Sequence, residues 1–351
     1  MLGAVLCAAA LSSSPAVPEQ FLLYDVIFHE QVNKQRRALM FYLDLAMITK
    51  RTLVLPRTRL LRRVSARSFS PDAEYVPWGE LYNVSALAKL HPIIELEQYL
   101  ELHGPVALHV KLDHRGCPEG GEGEVAFNGL KLGASRTICT TGLQYNRARL
   151  TQGDVMGLDS IAFSDSVDQL SLEKALQLRP YVRFDEGVYS SAAAFVAEQF
   201  GGSPFLAIHW RRTDFLQARA SQRGVLQSAE EVVRHARLAM QKHGLTRVYL
   251  ATDCDDEREL SVVRDALSPV RLTSRRGTGA QTLRERTEHA NLEIVICAMA
   301  ARFLGTKTSS FTLAITEERS AIFGHAPTTS GEMDILPLAE NHNGGPRKDE
   351  L

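Results

Sequence analysis

The feature that most constrains this chain is a short apolar run, residues 205–208, that ends abruptly in a histidine, two arginines and an aspartate. The sequence Gly-Gly-Ser-Pro precedes the run at residues 201–204, so the pattern predicts a buried strand. Open α/β sheets bind ligands at the carboxyl ends of their strands, where these charges stand. The stretch therefore predicts a parallel sheet with an anion-binding edge.

Alternation of side chains along the strand assigns different roles to the two arginines. His209 and Arg211 share one face, whereas Arg212 and Asp214 share the other. We therefore expect Arg211 to meet an anion and Arg212 to pair with Asp214. The alternative is that these charges are simply the solvated end of a strand.

Length and composition limit the class of protein. A chain of 351 residues suggests two domains, and its 44% hydrophobic and 23% charged residues are typical of globular proteins. The net charge of −1 gives no footprint for nucleic-acid binding. Since no run approaches the roughly 18 apolar residues of a membrane span, we expect none.

Both termini carry targeting signals. Residues 1–19 resemble a secretory signal peptide, with an apolar core followed by small residues and Pro15. The last four residues, Lys-Asp-Glu-Leu, match the retrieval signal of the endoplasmic reticulum. We therefore expect the protein in the lumen of the reticulum, where the sequon that begins at Asn83 offers a glycosylation site if it is exposed.

The cysteines are interpreted in the light of that oxidising compartment. Cys7 leaves with the signal peptide, and the four that remain allow three pairings. Cys117 and Cys139 close a glycine-rich loop and are expected to form a disulfide. Cys254 and Cys297 are expected to be buried thiols.

The first half begins with a strand at 21–26, a helix at 37–50 and a strand at 52–56, an order that makes a parallel unit. The loop after the first strand opens onto a helix amino terminus, which favours anions. Glu30 in that loop either caps the helix or serves as a base. The basic stretch from Arg59 to Trp78 is expected to be irregular surface, or alternatively a rim that holds a nucleotide or an acidic acceptor.

The second half shows a regular α/β order. Ser228 and Glu231 make a capping box, and strands at 247–252 and 302–306 run into Asp253 and Ser309. Because parallel strands end at one edge, these residues should converge with His209 and Arg211 on a single crevice. Free backbone N–H groups at Ser309 and Ser310, opposite Arg211, would then cradle a diphosphate.

The Asp-Cys-Asp sequence at Asp253–Asp255 leaves two interpretations open. It fits the Asp-x-Asp pattern by which many glycosyltransferases hold a divalent metal. It also stands at a strand-to-helix turn, where Asp255 or Asp256 would serve as an N-cap.

Taken together, these motifs resemble the protein O-fucosyltransferases, and the thrombospondin-repeat type more than the epidermal-growth-factor-repeat type. The resemblance covers roughly residues 21–325. It rests on Tyr24-Asp25 with Glu30 and Asn33, His209-Trp-Arg-Arg-Thr-Asp-Phe215, Leu250-Ala-Thr-Asp253, Gly305-Thr with Ser309-Ser-Phe311, and Glu317-Glu-Arg319.

The resemblance implies an α/β protein of the GT-B fold, with two Rossmann-like domains facing across a nucleotide-sugar cleft. It places an acceptor-side domain at 20–187, a GDP-fucose-binding domain at 188–338 and a tail at 339–351. It further implies a monomer that transfers fucose from GDP-fucose, with inversion and without a metal or other cofactor, to Ser or Thr of folded, disulfide-bonded repeats. A glycan fucosyltransferase and a non-catalytic lumenal binding protein are the alternatives.

The resemblance also implies the site residues. Arg211 would contact the β-phosphate and the departing oxygen, Glu30 would be the catalytic base, and Asn33 would orient donor or acceptor. Gln31 stands where family members usually carry glycine. The expected GDP-fucose contacts are His29, Glu30, Gln31, Val32, Asn33, His209, Trp210, Arg211, Asp253, Ser309, Ser310 and Phe311.

Overall fold

The structure is a computed structural model that describes residues 19–26, 28, 31–65, 68–103, 108–112, 123–134, 137–140, 160–166, 170–219, 225–272 and 282–325. The predicted signal peptide (apart from Glu19), the tail at 339–351, His29, Glu30 and Cys117 lie outside the described residues. The backbone of Cys139 is described but its side chain is not. The Cys117–Cys139 disulfide therefore stays a prediction.

The first half of the chain builds a parallel sheet with two added hairpins. Its elements are, in chain order, β1 (Phe21–Val26), α1 (Val32–Thr49), β2 (Thr52–Leu55), β3 (Thr58–Ser65), β4 (Ser68–Val76), a 3-10 turn (Trp78–Glu80), α2 (Val84–Ala88), β5 (Ile93–Glu95), α3 (Leu96–His103), β6 (Leu108–Leu112), β7 (Gly123–Phe127), β8 (Leu130–Ala134), β9 (Thr137–Thr140), β10 (Ser160–Ser166) and α4 (Leu172–Leu178). Six strands form a sheet in the order β5-β2-β1-β10-β6-β9. All their pairings are parallel.

The centre of this sheet explains why β1 is apolar throughout. Every residue of β1 is buried, because strands lie on both sides of it and helices cover its faces. The β1–α1 loop leaves the sheet at the carboxyl end of this central strand. That is the position at which open α/β sheets present ligand-binding loops.

The second half forms a smaller parallel sheet. Its elements are α5 (Glu186–Phe200), β11 (Leu206–Trp210), α6 (Phe215–Ala218), α7 (Ala229–His243), β12 (Val248–Thr252), α8 (Glu257–Leu267), α9 (Leu283–Met299), β13 (Arg302–Gly305) and α10 (Ser310–Ala321). Its three described strands are ordered β12-β11-β13, with both pairings parallel. Consequently the carboxyl ends of the three strands meet at one edge, as predicted.

A buried ion-pair cluster joins the last helix to the first half of the chain. Glu317 on α10 pairs with Arg37 on α1, and Glu318 pairs with Arg179 after α4. The Arg319 guanidinium donates to the carbonyl oxygen of Ala300 (2.6 Å) at the end of α9. The Glu-Glu-Arg motif therefore holds α10 against the first half of the chain. Removal of one partner of such a buried pair destabilises the folded state by about 3–5 kcal/mol.

Two further sequence predictions fall on described residues. Cys254 and Cys297 are buried free thiols, as expected. Asn83 caps α2 by accepting from the Ala86 N–H (2.8 Å), and its amide nitrogen donates to Glu186 (3.3 Å). Glycosylation at Asn83 would therefore have to displace the second of these bonds.

Among the helices that the structure describes, none combines the length and the apolar character that crossing a bilayer would require.

Candidate active site

A cleft of about 440 Å³ lies between the two halves of the chain. The first half contributes Gln31, Val32, Asn33, Arg59, Leu61 and Arg62. The second half contributes His209, Arg211, Thr252, Asp253, Leu283, Arg286, Thr287, His289, Ala290, Asn291, Glu293 and Phe311. Arg211 and six other residues of the predicted contact set therefore line this cleft.

His209, the penultimate residue of β11, is a neutral polar group on the cleft wall. It is 4% exposed, its ring lies 4.7 Å from that of Phe311, and its Nδ1 lies 2.8 Å from the Thr312 hydroxyl. Burial, with Arg211 nearby, lowers the pKa of His209 to about 3. An imidazole held in this way offers a hydrogen bond to a ligand but no charge at neutral pH.

Gly305 at the end of β13 makes the His209–Thr312 contact possible. A Cβ on Gly305 would lie 2.4 Å from the Thr312 methyl group and 2.8 Å from its hydroxyl oxygen. Because glycine has no side chain, α10 can approach the sheet closely enough for Thr312 to reach the imidazole.

Arg211 directly follows the last residue of β11, and two carboxylates contact its guanidinium. Its Nε lies 2.8 Å from Asp214 Oδ1 and 3.2 Å from Asp253 Oδ2, and its backbone N–H donates to the Thr306 hydroxyl (2.9 Å). Burial lowers the pKa of Arg211, but Asp253 and Asp214 outweigh this effect and raise it. The guanidinium therefore remains charged and fixed beside the cleft.

The predicted pairing of Arg212 with Asp214 is wrong. Asp214 pairs with Arg211, whereas Arg212 donates from Nε to Glu259 (2.8 Å) on α8. The strand ends at Trp210, so the alternation of faces does not extend to these residues. Arg212 has the structural role that we expected, but with a different partner.

Asp253 organises the turn that follows β11. Its Oδ1 accepts from the Arg212 N–H (2.7 Å), and its Oδ2 accepts from the Thr213 hydroxyl and lies near Arg211. Asp256 is the N-cap of α8 and accepts from the Arg258 N–H (2.8 Å). Among the described residues, no group of three or more His, Cys, Asp or Glu side chains is arranged to hold a metal ion.

The amino terminus of α10 lies beside this turn. Ser309 is the N-cap, and its hydroxyl accepts from the Phe311 N–H (3.3 Å). Thr308 before it has a φ of 65°, which turns the chain into the helix. Phe311 lines the cleft, whereas Ser309 and Ser310 are not among the lining residues.

Two other predicted contact residues occupy different environments. The Trp210 side chain is fully buried in the core of the second half, and its indole N–H donates to the Gln227 carbonyl (3.2 Å). The structure thus places Trp210 behind the cleft. Asn33 does line the cleft, and its buried side-chain oxygen has no hydrogen-bond partner among the residues that the structure describes.

The amino terminus of α1 lines the cleft from the first half of the chain. Gln31 is its N-cap and makes no side-chain capping hydrogen bond, and because Glu30 lies outside the described residues both interpretations of Glu30 stay predictions. The first turn of a helix has N–H groups without intrahelical partners, which carry partial positive charge. This end of α1 is therefore suited to an anion or to sugar hydroxyls.

Sequence reasoning missed the contribution of α9 to the cleft. The sequence pattern predicted a helix only over residues 291–301, whereas α9 begins at Leu283 and its first three turns line the cleft. The overlooked signal was a capping box between Thr282 and Glu285.

Glu293 is the most perturbed carboxyl group on the cleft wall. Burial raises its pKa to about 7, with the Tyr249 hydroxyl as a hydrogen-bond donor at 3.3 Å. Such a group accepts from N–H donors of a ligand when it is ionised. A perturbed carboxyl in a cleft is a candidate ligand contact.

Comparison with known proteins adds a family assignment to this geometry. The sequence model of the family described as GDP-fucose protein O-fucosyltransferase matches residues 29–322. The human GDP-fucose protein O-fucosyltransferase 2 is 26% identical over 387 residues, which cover 92% of this chain and 88% of the human protein. The Caenorhabditis elegans protein of the same name is 35% identical over 141 residues, which cover 40% of this chain and 32% of the worm protein.

Solved structures show the same architecture. POFUT1 in complex with GDP-fucose has a TM-score of 0.64 at 13% identity, covering 92% of this chain and 99% of that one. NodZ α-1,6-fucosyltransferase soaked with GDP-fucose has a TM-score of 0.50 at 13% identity, covering 85% and 92%. The predicted GT-B arrangement of two Rossmann-like units is thereby confirmed.

Proposed function

This chain belongs to the GDP-fucose protein O-fucosyltransferase family, and from that premise we propose that it transfers fucose from GDP-fucose to Ser or Thr hydroxyls of folded protein repeats. One observation carries the proposal: Arg211 and the amino terminus of α10 form one part of the cleft wall, and the amino terminus of α1, from the other half of the chain, forms a second part. A donor held by its diphosphate at the first part would present its sugar to the second.

The leaving group is stabilised from the second half of the chain. When the bond between the fucose C1 and the β-phosphate oxygen breaks, GDP leaves with the electron pair and negative charge develops on that oxygen. Arg211 keeps its charge, and the amino terminus of α10, which reaches the cleft at Phe311, adds the partial positive charge of a helix end. Groups that are fixed before the reaction stabilise such charge without reorganisation.

The acceptor is activated from the first half of the chain. We assign Glu30, one residue before the N-cap of α1, as the base that removes the proton of the acceptor hydroxyl. The hydroxyl oxygen then attacks C1 from the side opposite to GDP, so the configuration inverts. One carboxylate is sufficient for this displacement, and Asn33 on the cleft wall is available to orient the sugar.

Metal independence is part of the proposal. Both oxygens of Asp253 already hold the turn that carries Arg211, and Asp256 caps α8. These interactions support the N-cap interpretation of the Asp-Cys-Asp sequence. The positive charge for the diphosphate would then come from arginine and helix amides.

Release of GDP from GDP-fucose by purified protein tests the function. We expect release in the presence of a folded thrombospondin-type repeat and a chelator, and little release with the same repeat reduced and unfolded. Thrombospondin-type repeats are favoured over epidermal-growth-factor-like ones by the resemblance of the sequence motifs. Strict dependence on added manganese would contradict the metal-independent mechanism.

The alternatives give different results in the same assay. A glycan fucosyltransferase would prefer an oligosaccharide acceptor to either repeat. A non-catalytic binding protein would bind GDP-fucose tightly and turn over none of the acceptors. Both results would contradict the proposed function.

We also propose that the protein acts in the lumen of the endoplasmic reticulum, on the basis of the two terminal signals. Deletion of the last four residues should send the protein into the medium of secreting cells. Unchanged retention would contradict this assignment.

Glu293 leads to a prediction about pH. Guanine presents adjacent N–H donors, which the ionised carboxylate of Glu293 would accept. Because the pKa of Glu293 is about 7, the affinity for GDP-fucose should fall by about 10-fold between pH 8 and pH 6. Calorimetry measures the affinity at each pH. The phosphate groups of GDP-fucose do not titrate in this range, so a change in affinity reports on the protein.

The control is Glu293→Gln, which should bind more weakly and with an affinity that does not change with pH. As the pH rises, the affinity for GDP-fucose should increase, whereas the contribution of Glu293 to the stability of the unliganded protein should decrease. A carboxyl whose pKa is raised in the folded state contributes stability that is lost as the pH rises through about 7. A wild-type affinity independent of pH would contradict this role for Glu293.

A further inference from the structure

The arginine that would meet the diphosphate belongs to a group of side chains that has no net positive charge. Arg211 lies within ion-pair distance of both Asp214 and Asp253, so one guanidinium faces two carboxylates. This group of three side chains has a formal charge of −1. A diphosphate that links two sugars carries two negative charges, and like charges repel it from the site. Further cations are required to bind it.

The other cations on the cleft wall differ in whether they have a partner. Arg59 is buried and paired with Asp25 (2.9 Å), so its charge is also balanced. Arg62 and Arg286 are exposed, and no described residue accepts a hydrogen bond from either side chain or forms an ion pair with it. Within the described part of the chain, these are the cleft arginines whose charge has no counter-ion.

A β-bulge places Arg62 on the cleft. Adjacent residues of a regular strand point to opposite faces, yet Leu61 and Arg62 both line the cleft. The register of the β3–β4 pairing shifts between Leu61 and Arg63, which explains why both side chains reach the same side. Bulges are frequent next to active sites, where they redirect a side chain.

Arg286 approaches from the other half of the chain. It lies in the first turn of α9, one turn before Ala290 on the cleft wall, and α9 packs against β3. Two arginines that have no counter-ion among the described residues therefore come from two elements in contact with each other. Like charges in such a position repel, and an anion bound between them removes the repulsion.

We propose that Arg62 and Arg286 form a clamp on the diphosphate of GDP-fucose, supplying from opposite halves of the chain the net positive charge that the group of Arg211, Asp214 and Asp253 lacks. This assignment rests on the proposed function, because it takes the nucleotide sugar as the ligand. The clamp forms only when the donor bridges the cleft. The bound diphosphate would thereby bridge β3 and α9.

Calorimetric titration of the purified full chain tests the clamp. The variants are Arg62→Gln, Arg286→Gln and the double variant, and the ligands are GDP-fucose, GDP and guanosine. A charge-assisted hydrogen bond at an exposed site predicts about 10-fold weaker binding of GDP-fucose for each single variant and about 100-fold for the double variant. Guanosine, which has no phosphate, should bind all variants equally.

Matched controls separate local from general charge effects. Arg258→Gln and Arg258→Gln/Arg264→Gln remove the same number of charges from α8, at residues that do not line the cleft. They should bind GDP-fucose as the wild type does. Increasing the salt concentration should weaken binding to the wild type more than binding to the double variant.

Three results would overturn the clamp. The first is a double variant that binds GDP like the wild type. The second is a double variant that loses affinity for GDP and for guanosine equally. The third is a double variant in which only the KM of the acceptor repeat rises. Failure of the wild-type chain to bind GDP-fucose would contradict the proposed function together with the clamp. The wild-type titration thus distinguishes failure of the function from failure of the clamp alone.

Discussion

Replacement of Glu30 by glutamine is expected to lower kcat for fucose transfer by about 10²–10⁴-fold, the usual contribution of a positioned general base. The amide has nearly the same size but cannot take up the acceptor proton. The Kd of GDP-fucose should change little, because this loss affects the chemical step. Transfer to a folded repeat at saturating donor and acceptor gives kcat, and calorimetry gives the Kd.

The pH profile distinguishes a base from a merely structural carboxylate. The wild-type rate should fall at acidic pH as the base becomes protonated, and Glu30→Gln should lack this acidic limb. Glu97→Gln is the matched control, since Glu97 on α3 is a half-exposed carboxylate that lies 3.5 Å from Arg57 and does not line the cleft. A near-normal rate for Glu30→Gln, with its acidic limb intact, would show that another group takes the proton.

The second half of the chain could be predicted well because its signals are local. The capping box of Ser228 and Glu231 starts α7, and Gly244 in the left-handed conformation ends it. Asp256 caps α8 as expected. Capping depends on residues a few positions apart, so the sequence alone contains the necessary information. The convergence of β11, β12 and β13 then follows from the parallel order.

The β3–β4 hairpin was predicted wrongly, as an irregular surface. Its register shifts interrupt the alternation of apolar and polar residues, so the period of two that identifies a strand is absent. Arg59 adds to the difficulty because it is buried by its pairing with Asp25, 34 residues away. The alternative interpretation of this stretch as a basic rim is supported, since Arg59 and Arg62 line the cleft.

The start of α9 was missed for a related reason. Its first turns face the cleft with polar residues, so they lack the apolar stripe by which an amphipathic helix is recognised. The buried cluster around Glu317 was also beyond sequence reasoning, because Arg37 is its partner from a distance of 280 residues. In both cases the structure depends on the cleft or on a distant residue, so the local sequence pattern does not reveal it.

Replacement of Arg211 by alanine is expected to lower kcat by on the order of 100-fold or more, as removal of a principal charge stabiliser does. Both carboxylates contact its Nε, and no described residue accepts from its two terminal nitrogens, which therefore remain for the leaving phosphate. Arg211→Lys keeps a charge but loses the planar fork, so its rate should lie between those of Arg211→Ala and the wild type. Transfer assays at saturating donor measure the effect on turnover.

The adjacent arginine provides the control that makes this result interpretable. Arg212 is also ion-paired, with Glu259, but it does not line the cleft. Arg212→Ala should therefore lower the thermal stability and leave kcat within a few-fold of wild type. Because both variants remove a paired guanidinium from the same turn, a loss of turnover confined to Arg211→Ala isolates stabilisation of the departing diphosphate from loss of an ion pair. Equal losses in both variants would instead assign the effect to disruption of the turn, and a near-normal rate for Arg211→Ala would remove this residue from the mechanism.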